Sequence, residues 1–226
     1  MSQNLTLSNG GIVKKGYYGH IDAHGDVFME PGVQFQTLRI YGNTTASTFR
    51  GSSLTVNGNL RLVGQMNVVT IQGQGGITGS CSLFANNVDF RGLIQTKGSI
   101  HVKHSFNFSG LITGQQLMVA RNVNINGVAD FEHLIAHHVY IRSLHPKVVP
   151  LKHVKWMVRP SKITTISCYQ AELHKCGCRF IQANTIDLRE GSFIYDAACI
   201  GSISTDKSSA AVMTLGGAKR LHVAGY

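Results

Sequence analysis

From Ile21 to Ile141 the chain repeats one short phrase: an apolar residue, any residue, a second apolar residue, any residue, then glycine. It reads as Ile21-x-Ala23-x-Gly25, Leu38-x-Ile40-x-Gly42, Leu54-x-Val56-x-Gly58 and Val69-x-Ile71-x-Gly73. It returns as Val88-x-Phe90-x-Gly92, Phe106-x-Phe108-x-Gly110 and Val123-x-Ile125-x-Gly127, and Val139-x-Ile141 opens an eighth copy that lacks the glycine. These glycines recur at a mean of 17 residues, with single intervals from 15 to 19. An apolar pair at i, i+2 is strand periodicity. The glycine after it supplies the φ > 0 or tight corner that lets the chain turn. Weaker corners follow at Gly64, Gly79 and Gly98. Short strands and corners at one fixed period describe a coil of a parallel β-helix. A β-sandwich would instead need hairpin turns, with no common phrase at one period. The pattern therefore predicts an all-β fold, a parallel β-helix or solenoid. Seven to nine coils are expected in this stretch, with Leu38, Ile40, Val56, Ile71, Phe90, Phe108 and Ile125 facing inward.

The same reading divides the chain. Residues 1–19 form an N-terminal arm, either an incomplete first coil or a cover for the open end, and 20–142 form the β-helix. Residues 143–167 hold three of the four prolines, the only tryptophan and five bases. Proline disrupts strand ladders, so this stretch is read as a connector or inserted excursion. Looser strand signals return over 168–207, as in Ile186-Asp187-Leu188, and predict further coils. Residues 208–226 are read as a loosely attached tail.

Composition changes this picture in three places. Charged residues make up only 14% of the chain, and neutral polar residues fill the outward strand positions, as in Asn122-Val123-Asn124-Ile125-Asn126. The net charge of +10 comes from scarce acids: none occurs over 31–88, 90–129 or 133–171. A basic surface attracts nucleic acid, anionic lipid or acidic polymer. Met1-Ser2-Gln3-Asn4-Leu5 lacks the charged and apolar regions of a signal peptide, and five cysteines without framework spacing fit a reducing compartment. A cytoplasmic location is expected.

Candidate chemistry is sparse. Glu132-His133-x-x-x-His137-His138 is not the order of a His-Glu-x-x-His metalloprotease, and it reads as surface histidines. His174-x-Cys176-x-Cys178, with Cys168 and Cys199 at a distance, offers zinc-ligand types, but structural sites space their cysteines by two to four residues. In a strand, Cys176 and Cys178 share a face and can both point into the core. The central coils hold a single acid, Asp89, so the paired carboxylates of glycoside hydrolysis are hard to assemble. No catalytic set, cofactor site or metal site is expected. Lys152, Lys155, Trp156 and Arg159 form a candidate contact with an anionic surface such as a membrane. A solenoid's end coils expose unpaired backbone groups and the core's cross-section unless a cap covers them. Ile21 and Ile203, in the expected terminal coils, are candidate contacts between polymer ends.

Leu38-Arg39-Ile40-Tyr41-Gly42, Leu54-Thr55-Val56-Asn57-Gly58-Asn59-Leu60, Val123-Asn124-Ile125-Asn126-Gly127 and Ile181-Gln182-Ala183-Asn184-Thr185-Ile186-Asp187-Leu188 resemble the bactofilins. These are bacterial cytoskeletal proteins that polymerise through a β-helical domain, and the likeness is to their longer form in Gram-positive bacteria. The family's frequent Gly-Asp corner occurs here only at Gly25-Asp26. The resemblance implies a right-handed helix, end-to-end homopolymerisation without nucleotide, and a filament scaffold near the cell envelope with envelope-associated partners. The alternatives are a β-helical polysaccharide-active enzyme and a basic module that binds anionic surfaces or nucleic acid.

Overall fold

A computed structural model describes residues 3–143 and 159–222. Every element among them is a strand, the assigned strand pairs are parallel, and the strands stack as a β-solenoid of about 12 turns. The chain divides into two compact units. The first comprises Met1–Ser105 with Thr113–Gln115, and the second Phe106–Ile112 with Gln116–Tyr226.

In the first unit, β1 (Gln3–Leu7) and β2 (Gly11–Val13) make the first coil, and β3 (Tyr17–Ala23) and β4 (Asp26–Met29) the second. The next two coils are β5 (Val33–Ile40) with β6 (Asn43–Ala46), and β7 (Phe49–Val56) with β8 (Asn59–Leu62). β9 (Met66–Gly79) and β10 (Leu83–Thr96) each run round a coil without a break in the strand. One inward ladder passes through Leu5, Ile21, Leu38, Leu54, Ile71 and Val88, each paired with the next. From Ile21 onward these side chains are buried. Burial of each Leu, Ile or Phe contributes about 1.5–3 kcal/mol. All seven side chains expected to face inward are buried, the most exposed being Phe108 at 2%.

The register corrects one copy of the repeat. Leu54 pairs with Ile71, Val56 with Gly73 and Gly75 with Gly92, so the corner glycine of this coil is Gly75 and not Gly73. Val69 points outward at 46% exposure. The irregular spacings of 15 and 19 vanish with that shift. Gly73 takes the inward place between Val56 and Phe90 with a φ of +121°, a conformation that disfavours a side chain.

The second unit is reached along β11 (Ile100–Ile135) and continues with β12 (His138–Arg142), β13 (Ser161–Ser167) and β14 (Gln170–His174). β15 (Cys176–Arg189), β16 (Phe193–Thr205), β17 (Ala210–Leu215) and β18 (Lys219–His222) complete it. Its inward ladder runs Val123, Val139, Ala171, Ile186, Ile203, Arg220. Four of those steps span 15–17 residues, but Val139 to Ala171 spans 32. The excess lies between β12 and β13. At the equivalent corner between β14 and β15 the chain turns through Lys175 alone. Residues 143–160 are therefore an insertion at one corner of an otherwise regular stack. Its return is fixed by Ser161, whose Oγ accepts the Ala129 N–H at 3.0 Å, and by an ion pair between Arg159 and Asp130.

Three expected boundaries move. Residues 161–167, placed in the connector, are strand β13, stacked on Asp130–Ile135. Within the arm 1–19, β1 pairs with β3 and β2 with β4, so its described part is a first coil, one of the two readings given for it, and β3 begins at Tyr17 inside the expected arm. The tail 208–226 carries β17 and β18, both paired with β16. Ser161–Ser167 holds no copy of the glycine phrase, which is why the repeat did not reveal it.

Candidate functional site

The first coil of the first unit ends the stack among the described residues. β1 pairs only with β3, and β2 only with β4, which leaves their other edges without a partner strand there. Leu5 and Leu7 sit over Ile21 and Ala23 and are half-buried, while Val13 is fully buried over Met29. The outward-facing Ile12 is 60% exposed. The face is apolar where the core is cut across.

The last coil of the second unit differs in chemistry. Where Ala197 and Ile203 face inward in the coil below, this coil has Thr214 and Arg220. The Arg220 guanidinium donates to Thr214 Oγ1 at 2.7 Å. A recess of about 140 Å3 opens beside it, lined by Ile203, Thr205, Ser209, Ala210, Ala211 and Arg220. Val212, Met213, Leu215 and Leu221 are each between 41% and 57% exposed. This end therefore sets a polar pair over the core and apolar side chains around it.

Ile21 and Ile203 do not lie in the terminal coils of the described residues. Each is buried beneath one further coil, and the terminal members of their ladders are Leu5 and Arg220. The signal for the first was present in Leu5-Thr6-Leu7, an i, i+2 apolar pair without a glycine in register. The second was hidden, because Arg220 interrupts the apolar ladder and conceals the strand that carries it.

Of the candidate anionic-surface contact, Lys152, Lys155 and Trp156 lie outside the described residues. Arg159 is described, and its guanidinium pairs with the Asp130 carboxylate.

The thiols and histidines do not converge. Lys175, at φ +51°, turns a corner between His174 and Cys176, so the two do not share a strand face. His174 Nε2 lies 2.8 Å from Glu172 Oε1 and its Nδ1 3.4 Å from Glu190 Oε1. Cys176, Cys178 and Cys199 are core residues. Burial pushes the Cys178 thiol up to about 12 and outweighs the hydrogen bonds that favour its thiolate. Burial likewise raises Cys168 to about 12, helped by the neighbouring Cys178 and Cys199, and raises Cys176 and Cys199 as well. Raised in this way, the thiols are poor nucleophiles, since the thiolate is the attacking form. The described residues hold no group of three or more His, Cys, Asp or Glu placed to bind a metal. His133 shares a hydrogen bond with Thr165 at 2.6 Å, His137 stacks on Tyr169 at 5.1 Å, and His138 meets His137 edge-on.

An open groove of about 380 Å3 on the first unit is lined by Thr55, Asn57, Gln72, Gln74, Asp89 and Arg91. Asp89 is the one carboxylate among its lining residues, so the two-carboxylate geometry of glycoside hydrolysis is not assembled there. No helix among the described residues is long and apolar enough to cross a membrane. Comparison with protein-family models, curated proteins and solved structures finds no match to this chain.

Proposed function

We propose that the protein is a non-enzymatic structural element that assembles end to end into filaments and serves as a cytoskeletal scaffold near the cell envelope. The single observation that carries this reading is the first coil: an unpartnered strand edge laid over an apolar cross-section. Docking a second solenoid there extends the ladder and buries Leu5 and Leu7. An end contact repeated without a closing rotation yields a filament. The reading agrees with what the resemblance to the bactofilins implies, and the low content of exposed charge permits close packing between copies. Negative-stain electron microscopy of the purified protein tests it. Filaments of uniform width are expected without added nucleotide or metal, and a field of single particles at high protein concentration would refute it.

A further inference from the structure

Lys15 and Arg50 line one cleft on the first unit, and neither side chain has a hydrogen bond or ion pair among the described residues. The cleft measures about 330 Å3, within the range of small-molecule sites. Val33 and Phe49 form its buried floor, and Gln34, Thr48, Gln65 and Asn67 surround the two cations. Gln34, Arg50 and Asn67 are register partners on three successive coils, so their outward side chains stand in one row. Thr48 and Gln65 come from the adjoining corner, where their carbonyls accept the Gly32 and Phe49 N–H groups.

Lys15 lies against a position that has no side chain. A Cβ on Gly32 would lie 3.3–3.4 Å from Lys15 Cγ, Cδ and Cε, and Gly32 has a φ of +89°, where side chains are disfavoured. The lysine stem therefore lies across Gly32, over the coil that separates it from the coil of Arg50. No carboxylate lines the cleft. Glu30, the nearest acid in sequence, uses Oε2 to accept the Lys15 main-chain N–H at 3.0 Å, and no acid occurs from 31 to 88. Two cations line this cleft without a carboxylate among its lining residues, and an oxyanion bound there pairs with both. Guanidinium and ammonium together suit a phosphate or carboxylate. Three side-chain amides and a hydroxyl around them supply both donors and acceptors, the complement of a sugar's hydroxyl groups.

We propose that this cleft binds an anionic sugar, with Arg50 and Lys15 on its phosphate or carboxylate and Gln34, Gln65 and Asn67 on its hydroxyls. Isothermal titration of the full chain with glucose 6-phosphate, glucuronate, glucose and inorganic phosphate tests the assignment. The first two probes distinguish a phosphate from a carboxylate as the preferred group. Saturable binding of at least one of them is expected at one site per chain. Replacing either cation, Arg50→Gln or Lys15→Gln, should weaken it about tenfold or more, the order of one charge-assisted hydrogen bond. Both residues are exposed, so the variants should keep the parent's melting midpoint. Arg61→Gln, which removes an exposed charge on β8 outside the cleft, should leave binding unchanged. Absence of saturable binding would overturn the proposal. So would an equal loss in Arg61→Gln, or inorganic phosphate binding as tightly as glucose 6-phosphate.

Discussion

At the residue scale, two of the corner glycines, Gly42 and Gly58, answer to close approach and not to backbone conformation. A Cβ on Gly42 would lie 2.3 Å from the Gly25 carbonyl oxygen, and one on Gly58 would lie 2.2 Å from that of Gly42. Neither glycine has a positive φ. Each coil rests on the backbone of its neighbour at the corner, leaving no room for a methyl group. Gly42→Ala is therefore expected to destabilise the protein by about 1–3 kcal/mol and to lower the thermal midpoint by several degrees, on the order of 2–4 °C per kcal/mol. Gly217, with nothing within 4 Å of its Cβ position, should accept alanine unchanged. The buried thiols make a second residue-scale prediction. Cys178 ionises at about 12 in the folded chain against an ordinary 9.0. Between those values the unfolded chain has lost the proton and the folded chain keeps it. Stability contributed by the neutral buried thiol is thus full below pH 9 and is lost as pH rises toward 12. Urea midpoints measured from pH 8 to 11 should fall more steeply for the parent than for Cys178→Ala. Parallel profiles would show that this thiol is not shielded as described.

At the scale of elements, residues 143–160 lengthen a corner that a neighbouring coil turns in one residue. β13 already rests in register on Asp130–Ile135 below and on β15 above, and Ser161 fixes its start. Deleting 144–158 leaves Ser143, Arg159 and Pro160 to link β12 and β13, where a neighbouring coil turns in one residue. The shortened chain is expected to keep the parent's far-ultraviolet circular dichroism and a cooperative melt. Loss of either would show that the insertion is part of the fold. The corner between β16 and β17 depends instead on one carboxylate. Burial opposes the charge on Asp206, but hydrogen bonds from the Glu190 N–H, Ser209 and Ser208 outweigh it and hold the group at about 2. The sequence made the coils legible because their inward positions repeat. It concealed the register at Val69, where two overlapping apolar pairs, Val69-x-Ile71 and Ile71-x-Gly73, compete for one phrase. Only contact with Leu54 and Val88 decides between them. The break at 143 was visible in its prolines, whereas its end was not, since Ser161–Ser167 lacks a glycine to mark the corner.

At the scale of the whole molecule, the two terminal coils of the described residues present different chemistries. The first coil offers Leu5, Leu7 and an open strand edge, while the last sets Arg220 and Thr214 over the core. Sequence alone placed these ends one coil too far inward, at Ile21 and Ile203, because the repeat phrase fades before the stack does. Substitutions at the two depths should separate folding from assembly. Ile21→Lys puts an unpaired charge in the core and should unfold the first coils. Leu7→Lys, at a half-buried terminal position, should leave the melt nearly unchanged and remove an end contact. Sedimentation velocity of the parent and of Leu7→Lys, each across a range of protein concentrations, tests the central claim most directly. The parent should sediment as large, concentration-dependent assemblies, and folded Leu7→Lys as much smaller species. A parent that stays monomeric at high concentration, or a folded variant that assembles as the parent does, would contradict assembly through the first coil.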